Sequence, residues 1–146
     1  MSNIELLERT LPVAPLKIVA MESCRGLGQK VNDYIVSFRE NTINEVSESS
    51  LYVNYKSNNY LVDCCCPRFG TGEAKGVLRE TIRGTDLFIM TDVCNYSLTY
   101  TVSGHLNHMS PDDHYQDLKR IISAATGKAK RINVIMPFLY ESRQHK

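Results

Sequence analysis

The chain has 146 residues, of which 42% are hydrophobic and 23% are charged, and its formal net charge at pH 7 is +1. This length suffices to bury a hydrophobic core, and the near-neutral charge argues against a general nucleic-acid or membrane surface, because such binding rests on clustered cations. No apolar run approaches the roughly 20 residues needed to span a bilayer, and the mixed, acidic start Met1–Arg9 does not resemble a signal peptide.

The first half of the chain is typical of a strand, a helix, a polar stretch and a second strand. Lys17–Met21 predicts a short strand, and apolar residues then recur at helical spacing: Leu27, Val31, Tyr34, Ile35 and Phe38. Residues 40–58 are rich in Asn, Ser and Glu and are predicted to be mostly loop, with room for a short strand in Val46–Tyr55. The second strand is predicted over Tyr60–Cys66, before Pro67.

The second half begins with strands separated by turns. After a glycine-rich turn, Val77–Ile82 alternates like an exposed strand, and Arg83–Asp86 is expected to be a turn. Leu87–Thr91 is predicted to be a strand buried on both faces. The final segment, Ile132–Met136, is predicted to be a buried strand that Pro137 ends.

The clearest local prediction is a helix that begins after Ser110. Ser110 can cap it, Pro111 suits the first helical position, and two acidic residues favour the positive end of the dipole, Asp112 and Asp113. Its apolar stripe is Tyr115, Leu118, Ile121, Ile122 and Ala125. Gly127 ends the helix, and basic residues complement its negative end: Lys128, Lys130 and Arg131. This order of elements predicts an α/β fold with a mostly parallel sheet flanked by helices.

The five cysteines are predicted to be reduced. Three are adjacent, Cys64–Cys66, and neighbouring residues of a strand point to opposite faces, which makes them poor disulfide partners. Free cysteine is commonly a small buried hydrophobic residue, and the chain has no paired Cys-x-x-Cys motif. We therefore expect structural burial of the Cys64–Cys66 run, and the reduced thiols indicate a cytoplasmic protein.

Phe69 precedes a glycine turn that contains Gly70, Gly72 and Glu73. A flat aromatic ring beside such a turn can stack on a planar base, while nearby polar groups bind the edge of the base. The alternative is that Phe69 packs in the core and the glycines merely allow a tight turn. The local chemistry favours this alternative, because a lone Gly-x-Gly lacks the spacing of a phosphate-binding loop.

The chain ends in a polar, cationic segment behind the final strand. Arg143 and Lys146 follow the carboxyl end of that strand, which is where open α/β sheets bind ligands. Because the sequence stops within such a region, we expect it to be part of a larger protein.

Residues 68–90 resemble the N-terminal half of ribose-phosphate pyrophosphokinase, also called phosphoribosyl pyrophosphate synthetase. That family has Arg-Phe-Ser-Asp-Gly-Glu, then a strand with a Glu, then Arg-Gly-x-Asp and an apolar strand. The matching residues fall in register without a gap: Arg68, Phe69, Gly72, Glu73, Glu80, Arg83, Gly84 and Asp86. Independently, residues 136–145 resemble the family's Ile-Pro-Tyr-Phe-Gly-Tyr-Ala-Arg-Gln-Asp.

The resemblance implies a phosphoribosyltransferase-like fold and a single N-terminal domain over residues 1–146. It also implies that this chain lacks the C-terminal half of the enzyme, which binds ribose 5-phosphate and carries most catalytic groups. Enzymes of this family transfer the β,γ-diphosphoryl group of ATP to the 1-hydroxyl of ribose 5-phosphate, and their Mg²⁺ neutralises polyphosphate charge. They assemble through their N-terminal halves, so a homo-oligomer is expected. This chain alone is expected to show little or no turnover.

The resemblance also assigns a nucleotide site. Phe69 would stack on adenine, and three residues of its turn would line the pocket, often across a subunit boundary: Thr71, Gly72 and Glu73. Arg143 and Gln144 would contact the nucleotide from the other side, with Arg143 suited to a charge-assisted bond to phosphate. No catalytic residue and no metal ligand of this chain is assigned.

Departures from the family's pattern leave a second interpretation open. Thr71 stands in place of the Asp of the adenine turn, and His145 in place of the Asp that follows Arg-Gln. About 15 extra residues lie around positions 40–58, with a similar excess around 95–110, where loops tolerate insertions. The alternative function is a non-catalytic regulatory homologue that keeps the fold and the assembly surface.

A third interpretation is a metal- or thiol-dependent module. His105 and His108 are three residues apart, as metal ligands can be, and further candidate ligands follow: Asp112, Asp113 and His114. However, the start of a helix fully explains Ser110–Asp113, and the cysteine run lacks the spacing of a metal site. The nucleotide-binding interpretation is therefore preferred.

Overall fold

The structure, a computed structural model, describes residues 12–43 and 57–144. Its elements in chain order are β1 (Leu16–Ala20), a 3₁₀ turn (Glu22–Cys24), α1 (Arg25–Ile43), β2 (Cys64–Cys65), β3 (Val77–Leu78), β4 (Asp86–Met90), β5 (Thr99–Val102), β6 (His105–His108), α2 (Pro111–Ala125) and β7 (Arg131–Ile135). β1, β4 and β7 form a parallel sheet in that order. The predicted α/β fold is therefore confirmed.

One helix covers each face of this sheet. Leu87 and Ile89 of β4 pack against the apolar stripe of α2, and both are fully buried. Met90 points to the opposite face and packs with residues of α1, among them Val31 and Ile35. Each large apolar side chain buried in this way contributes about 1.5–3 kcal/mol. The prediction that β4 is buried on both faces is confirmed.

α1 lies so close to β1 that glycine is required at position 28. A Cβ placed on Gly28 would lie 2.2 Å from the Cβ of Ala20. The helix also continues to Ile43, so the prediction of a loop from residue 40 is wrong for residues 40–43. The short strand expected within Val46–Tyr55 lies outside the described residues. Among the described residues, no helix is both long and apolar enough to cross a membrane.

α2 follows its sequence signals closely. The Ser110 side chain accepts a hydrogen bond from the backbone N–H of Asp113, whose carboxylate accepts one from the backbone N–H of Ser110. This reciprocal pair is a capping box. Gly127, with φ +74°, follows the helix, and Lys128 Nζ donates to the Ala124 carbonyl (3.0 Å). Lys130 and Arg131 were also expected to serve this helix end, but their side chains bond to the Val13 carbonyl and to Asp86.

The final strand, β7, is not buried as predicted. Val134 and Ile135 are 43% and 40% exposed. The reason is that β7 lies at the edge of the described sheet and pairs only with β4.

The predicted strand Tyr60–Cys66 is divided between two sheets. Tyr60 and Val62 exchange backbone hydrogen bonds with Ile18 of β1 (2.8 and 2.7 Å). The chain then turns, and β2 pairs with β3 in a separate antiparallel sheet. The predicted exposed strand Val77–Ile82 shortens to β3, because within residues 12–43 and 57–144 only Val77 and Leu78 of this segment pair with another strand.

A hairpin occupies the region that the sequence indicated to be an inserted loop. β5 and β6 pair in antiparallel register, and Ser103 and Gly104 connect them with φ values of 50° and 80°. Two consecutive positive φ values are typical of a two-residue type I′ turn.

Asp86 joins β4 to β7 at the start of both strands. Its carboxylate accepts hydrogen bonds from Arg131 Nε (2.8 Å), from the Nη2 of the same side chain, and from Asn133 Nδ2 (2.9 Å). The hydrogen bond from Arg131 is the main cause that lowers the pKa of Asp86, while burial acts in the opposite direction.

We expect Asp86→Asn to reduce the free energy of unfolding at pH 7 by about 1–2 kcal/mol, because it removes charge-assisted hydrogen bonds whose partner, Arg131, is half exposed and partly screened. Since the pKa of Asp86 is lower in the folded chain, the stability that its carboxylate contributes is fully present above the unfolded-state pKa of about 3.9. It is lost as the pH falls through the folded-state pKa.

Urea denaturation at pH 7 and at successively lower pH measures this difference. The control is Asp63→Asn, which removes an exposed ion pair with Arg79 and should leave stability nearly unchanged. If Asp86→Asn and the wild type still differed in free energy of unfolding by the same amount at the lowest pH, the stabilising role assigned to the charged Asp86 carboxylate would be wrong.

Candidate functional site

Residues 68–74 form a closed turn that presents Phe69 to solvent. Arg68 and Ala74 pair across its base, Phe69 N donates to the Glu73 carbonyl (2.7 Å), and Gly72 N donates to the Phe69 carbonyl (2.9 Å). Gly72 has φ +89°, a left-handed conformation that glycine adopts without steric cost. Phe69 is 54% exposed, so the prediction from local chemistry that it packs in the core is wrong.

Two exposed polar side chains lie in the same turn as Phe69. The Thr71 hydroxyl donates to Glu73 Oε2 (3.1 Å), and both residues are exposed. The side-chain oxygens of the pair can accept hydrogen bonds from an amino group at the edge of a base. The turn thus combines an uncovered aromatic face with acceptors beside it.

Arg68 fixes the base of the turn on α2. Its Nη2 donates to Asp117 Oδ2 (2.9 Å), and the two side chains are only 11% and 7% exposed. Its Nη1 donates to the Gly72 carbonyl (3.4 Å), and its guanidinium lies 4.5 Å from the ring centroid of Tyr100. One buried cation therefore connects the turn, the helix and the hairpin.

Asp117 is shared by two guanidinium groups, because Arg120 Nη1 also donates to it (2.6 Å). Burial raises the pKa of Asp117, and the hydrogen bond from Arg120 and the charge of Arg68 oppose that effect. Gly76 lies close to the same helix: a Cβ placed on it would be 2.5 Å from the carbonyl oxygen of Arg120. The segment behind the turn therefore packs directly on the backbone of α2.

A cleft of about 460 Å³ opens beside the base of the turn, at the carboxyl end of the parallel sheet. Its lining comes from the end of β1, from Cys64–Arg68, from the base of the hairpin and from α2; it includes Ser23, Tyr100, His114 and Asp117. This end of a parallel sheet is where ligands bind in open α/β folds.

The C-terminal segment is held on α2 by Tyr140. Its ring stacks on Tyr115 at 4.2 Å between centroids, and its hydroxyl donates to Asp112, which is the main cause that raises its pKa to about 12. Gln144 donates through its backbone N–H to the Glu141 carbonyl (2.9 Å). Arg143 and Gln144 are both exposed.

The structure does not bring the two predicted groups of site residues together within one chain. Within the described residues, no hydrogen bond, ion pair or ring contact joins the turn to Arg143 or Gln144. The turn is anchored at Asp117 and the C-terminal segment at Tyr115, and residues two apart lie on opposite sides of a helix. His145 and Lys146 lie outside the described residues.

Two histidines of this region hydrogen-bond through their rings to backbone carbonyls. In the described part of the chain, no group of three or more His, Cys, Asp or Glu side chains could hold a metal ion. The buried His114 bonds through Nε2 to the Asn95 carbonyl (2.8 Å). His108 bonds through Nδ1 to the Tyr96 carbonyl (2.9 Å) and stacks on the Tyr96 ring.

The cysteines are free thiols. Cys64 is buried as predicted, whereas Cys65 and Cys66 are only half-buried. Burial raises the pKa of the Cys24 and Cys64 thiols to about 11 and that of Cys66 to about 12. These three thiols are therefore protonated near neutral pH and poor nucleophiles.

Sequence reasoning missed the residues that position the turn, Asp117 and Tyr100. A partial signal existed for Asp117, which directly precedes the apolar stripe residue Leu118 and therefore lies at the border of the buried face of α2. Nothing in the sequence linked it to Arg68, 49 positions away.

Comparison with known proteins identifies one family. Residues 16–146 match the family model described as the N-terminal domain of ribose phosphate pyrophosphokinase. The match begins at β1 and includes both groups of site residues. The search of curated proteins finds no match.

We expect Arg68→Ala to lower the free energy of unfolding by about 2 kcal/mol, because it leaves the buried Asp117 with only one of its two cationic partners. Urea denaturation at pH 7 measures the change. Arg79→Ala is the matched control, since it removes an arginine whose ion pair with Asp63 is exposed. If both variants lost the same small amount of free energy of unfolding, the buried Arg68–Asp117 pair would not be what holds the turn.

Proposed function

Because the chain belongs to the family of ribose-phosphate pyrophosphokinase N-terminal domains, we propose that it is the ATP-binding and oligomerisation half of a ribose-phosphate diphosphokinase. The proposed reaction transfers the diphosphoryl group of ATP to ribose 5-phosphate and yields phosphoribosyl pyrophosphate and AMP for nucleotide biosynthesis. The observation that carries the proposal is the exposed Phe69 on a turn that a buried ion pair fixes.

In this proposal the Phe69 ring stacks on adenine. Aromatic side chains bind the flat face of a base, and polar groups beside them bind its edge. Thr71 and Glu73 offer oxygen acceptors for the adenine amino group, and Gly72 allows the backbone to approach the base closely. Because the fold already holds the backbone of the turn in place, little conformational entropy of the turn is lost on binding.

Arg143 and Gln144 contact the same nucleotide from a second copy of the chain. The separation of the two groups on α2 supports this arrangement, as do the apolar side chains exposed along β7 and behind it, which provide a surface for assembly: Val134, Ile135, Phe138 and Leu139. The guanidinium of Arg143 suits a charge-assisted bond to phosphate. The proposed working unit is therefore a homo-oligomer.

Mg²⁺ is proposed to enter with ATP. The described residues contain no cluster that could hold the cation by protein ligands alone, whereas the phosphate oxygens of ATP bind Mg²⁺ well. The cation neutralises polyphosphate charge in such substrates. The free thiols support a cytoplasmic location.

Phe69→Ala tests the adenine site. We expect it to weaken Mg-ATP binding about 5- to 100-fold, because stacking of a base on an aromatic ring is worth about 1–3 kcal/mol. Isothermal titration calorimetry of the chain with Mg-ATP measures the Kd. Tyr34→Ala, which removes an exposed ring on α1, should bind like the wild type. Unchanged affinity in Phe69→Ala would overturn the adenine assignment.

The transfer reaction is tested in a protein in which this domain is followed by the C-terminal half. We expect AMP formation from Mg-ATP that depends on ribose 5-phosphate, and little or none from the 146-residue chain alone. Quantification of AMP by chromatography measures it. A longer protein that assembles normally but forms no sugar-dependent AMP would favour the non-catalytic regulatory homologue instead.

A further inference from the structure

The β5–β6 hairpin packs directly on the turn that carries Phe69. The Cγ2 of Val102 lies 3.5 Å from the position that a Cβ on Gly72 would take. Two residues earlier on the same strand, the Tyr100 ring contacts the Arg68 guanidinium at 4.5 Å, and its hydroxyl donates to Asp113 (3.3 Å). The hairpin is thus fixed both to the turn and to α2.

One face of the hairpin meets the turn and the other faces solvent. Along β5, Thr99 and Thr101 are exposed, whereas Tyr100 and Val102 are half-buried. Residues directly opposite each other on paired strands share a face. Since Val102 is paired with His105, the His105 side chain lies on the face that meets the turn.

His105 is exposed even though it lies on this face, so the turn does not cover it. Its imidazole makes no hydrogen bond within the described residues, whereas His108 and His114 each bond through the ring to a backbone carbonyl. A neutral imidazole offers one hydrogen-bond donor and one acceptor. His105 is therefore the histidine of this region whose ring the fold leaves available to a ligand.

We propose that the hairpin forms a second wall of the nucleotide site and that His105 hydrogen-bonds to the base stacked on Phe69. The inference rests on the proposed nucleotide-binding function and adds a residue that determines base recognition. The base is the part of the nucleotide that the hairpin would meet, because the hairpin packs on Gly72 in the same turn as Phe69.

Calorimetry with Mg-ATP and variants of the chain tests this contact. We expect His105→Ala to raise the Kd about three- to tenfold, the effect of one lost hydrogen bond. His105→Gln, which keeps a donor and an acceptor, should retain most of the affinity. The matched control is Leu106→Ala: Leu106 is 68% exposed, and its pairing with Thr101 places it on the opposite face of the hairpin.

The outcomes separate this inference from the proposed function. If Phe69→Ala loses affinity and His105→Ala does not, the inference is wrong and the proposed function stands. If Leu106→Ala weakens binding as much as His105→Ala, the effect comes from disturbance of the hairpin and the inference is again wrong. If the wild-type chain does not bind Mg-ATP, both fail.

Discussion

The buried carboxylate of Asp117 is the group on which the position of the candidate site depends. It lies next to Leu118, which packs in the core, and is itself almost inaccessible to solvent. An isolated charge in such a place is strongly unfavourable, and the guanidinium groups of Arg68 and Arg120 neutralise it. Because Arg68 is the first residue of the glycine turn, the same ion pair that compensates Asp117 also places the turn on α2.

The start of α2 extends this arrangement to the hairpin. Asp113 accepts hydrogen bonds from the N-cap Ser110 and also from the Tyr100 hydroxyl, while the Tyr100 ring contacts Arg68. Asp113, which forms the capping box in the first turn of α2, therefore also orients the hairpin strand beside the turn. Helix, turn and hairpin form one connected polar network, and displacement of any of the three would break contacts of the other two.

Features with a local cause could be predicted from the sequence. The N-cap Ser110 of α2 and the apolar run of β4 depend on neighbouring residues, and both predictions are confirmed. The division of Tyr60–Cys66 between two sheets and the exposure of β7 depend on which strands become neighbours, which no local pattern specifies. The site residues were found by resemblance to a family, but their anchor was not, because the Arg68–Asp117 pair depends on which side of α2 meets the turn.

The free-energy cost of burying the charged groups that anchor the turn is itself an argument for function. A buried ion pair is often no more stabilising than apolar residues of similar volume, and here three charged side chains, Arg68, Asp117 and Arg120, hold a turn whose own large apolar residue remains in water. Phe69 adds little to the core, since it is 54% exposed. The ring therefore gains little of the stability that burial would give it. A rigid turn that keeps an aromatic face exposed is instead what a preorganised binding site requires.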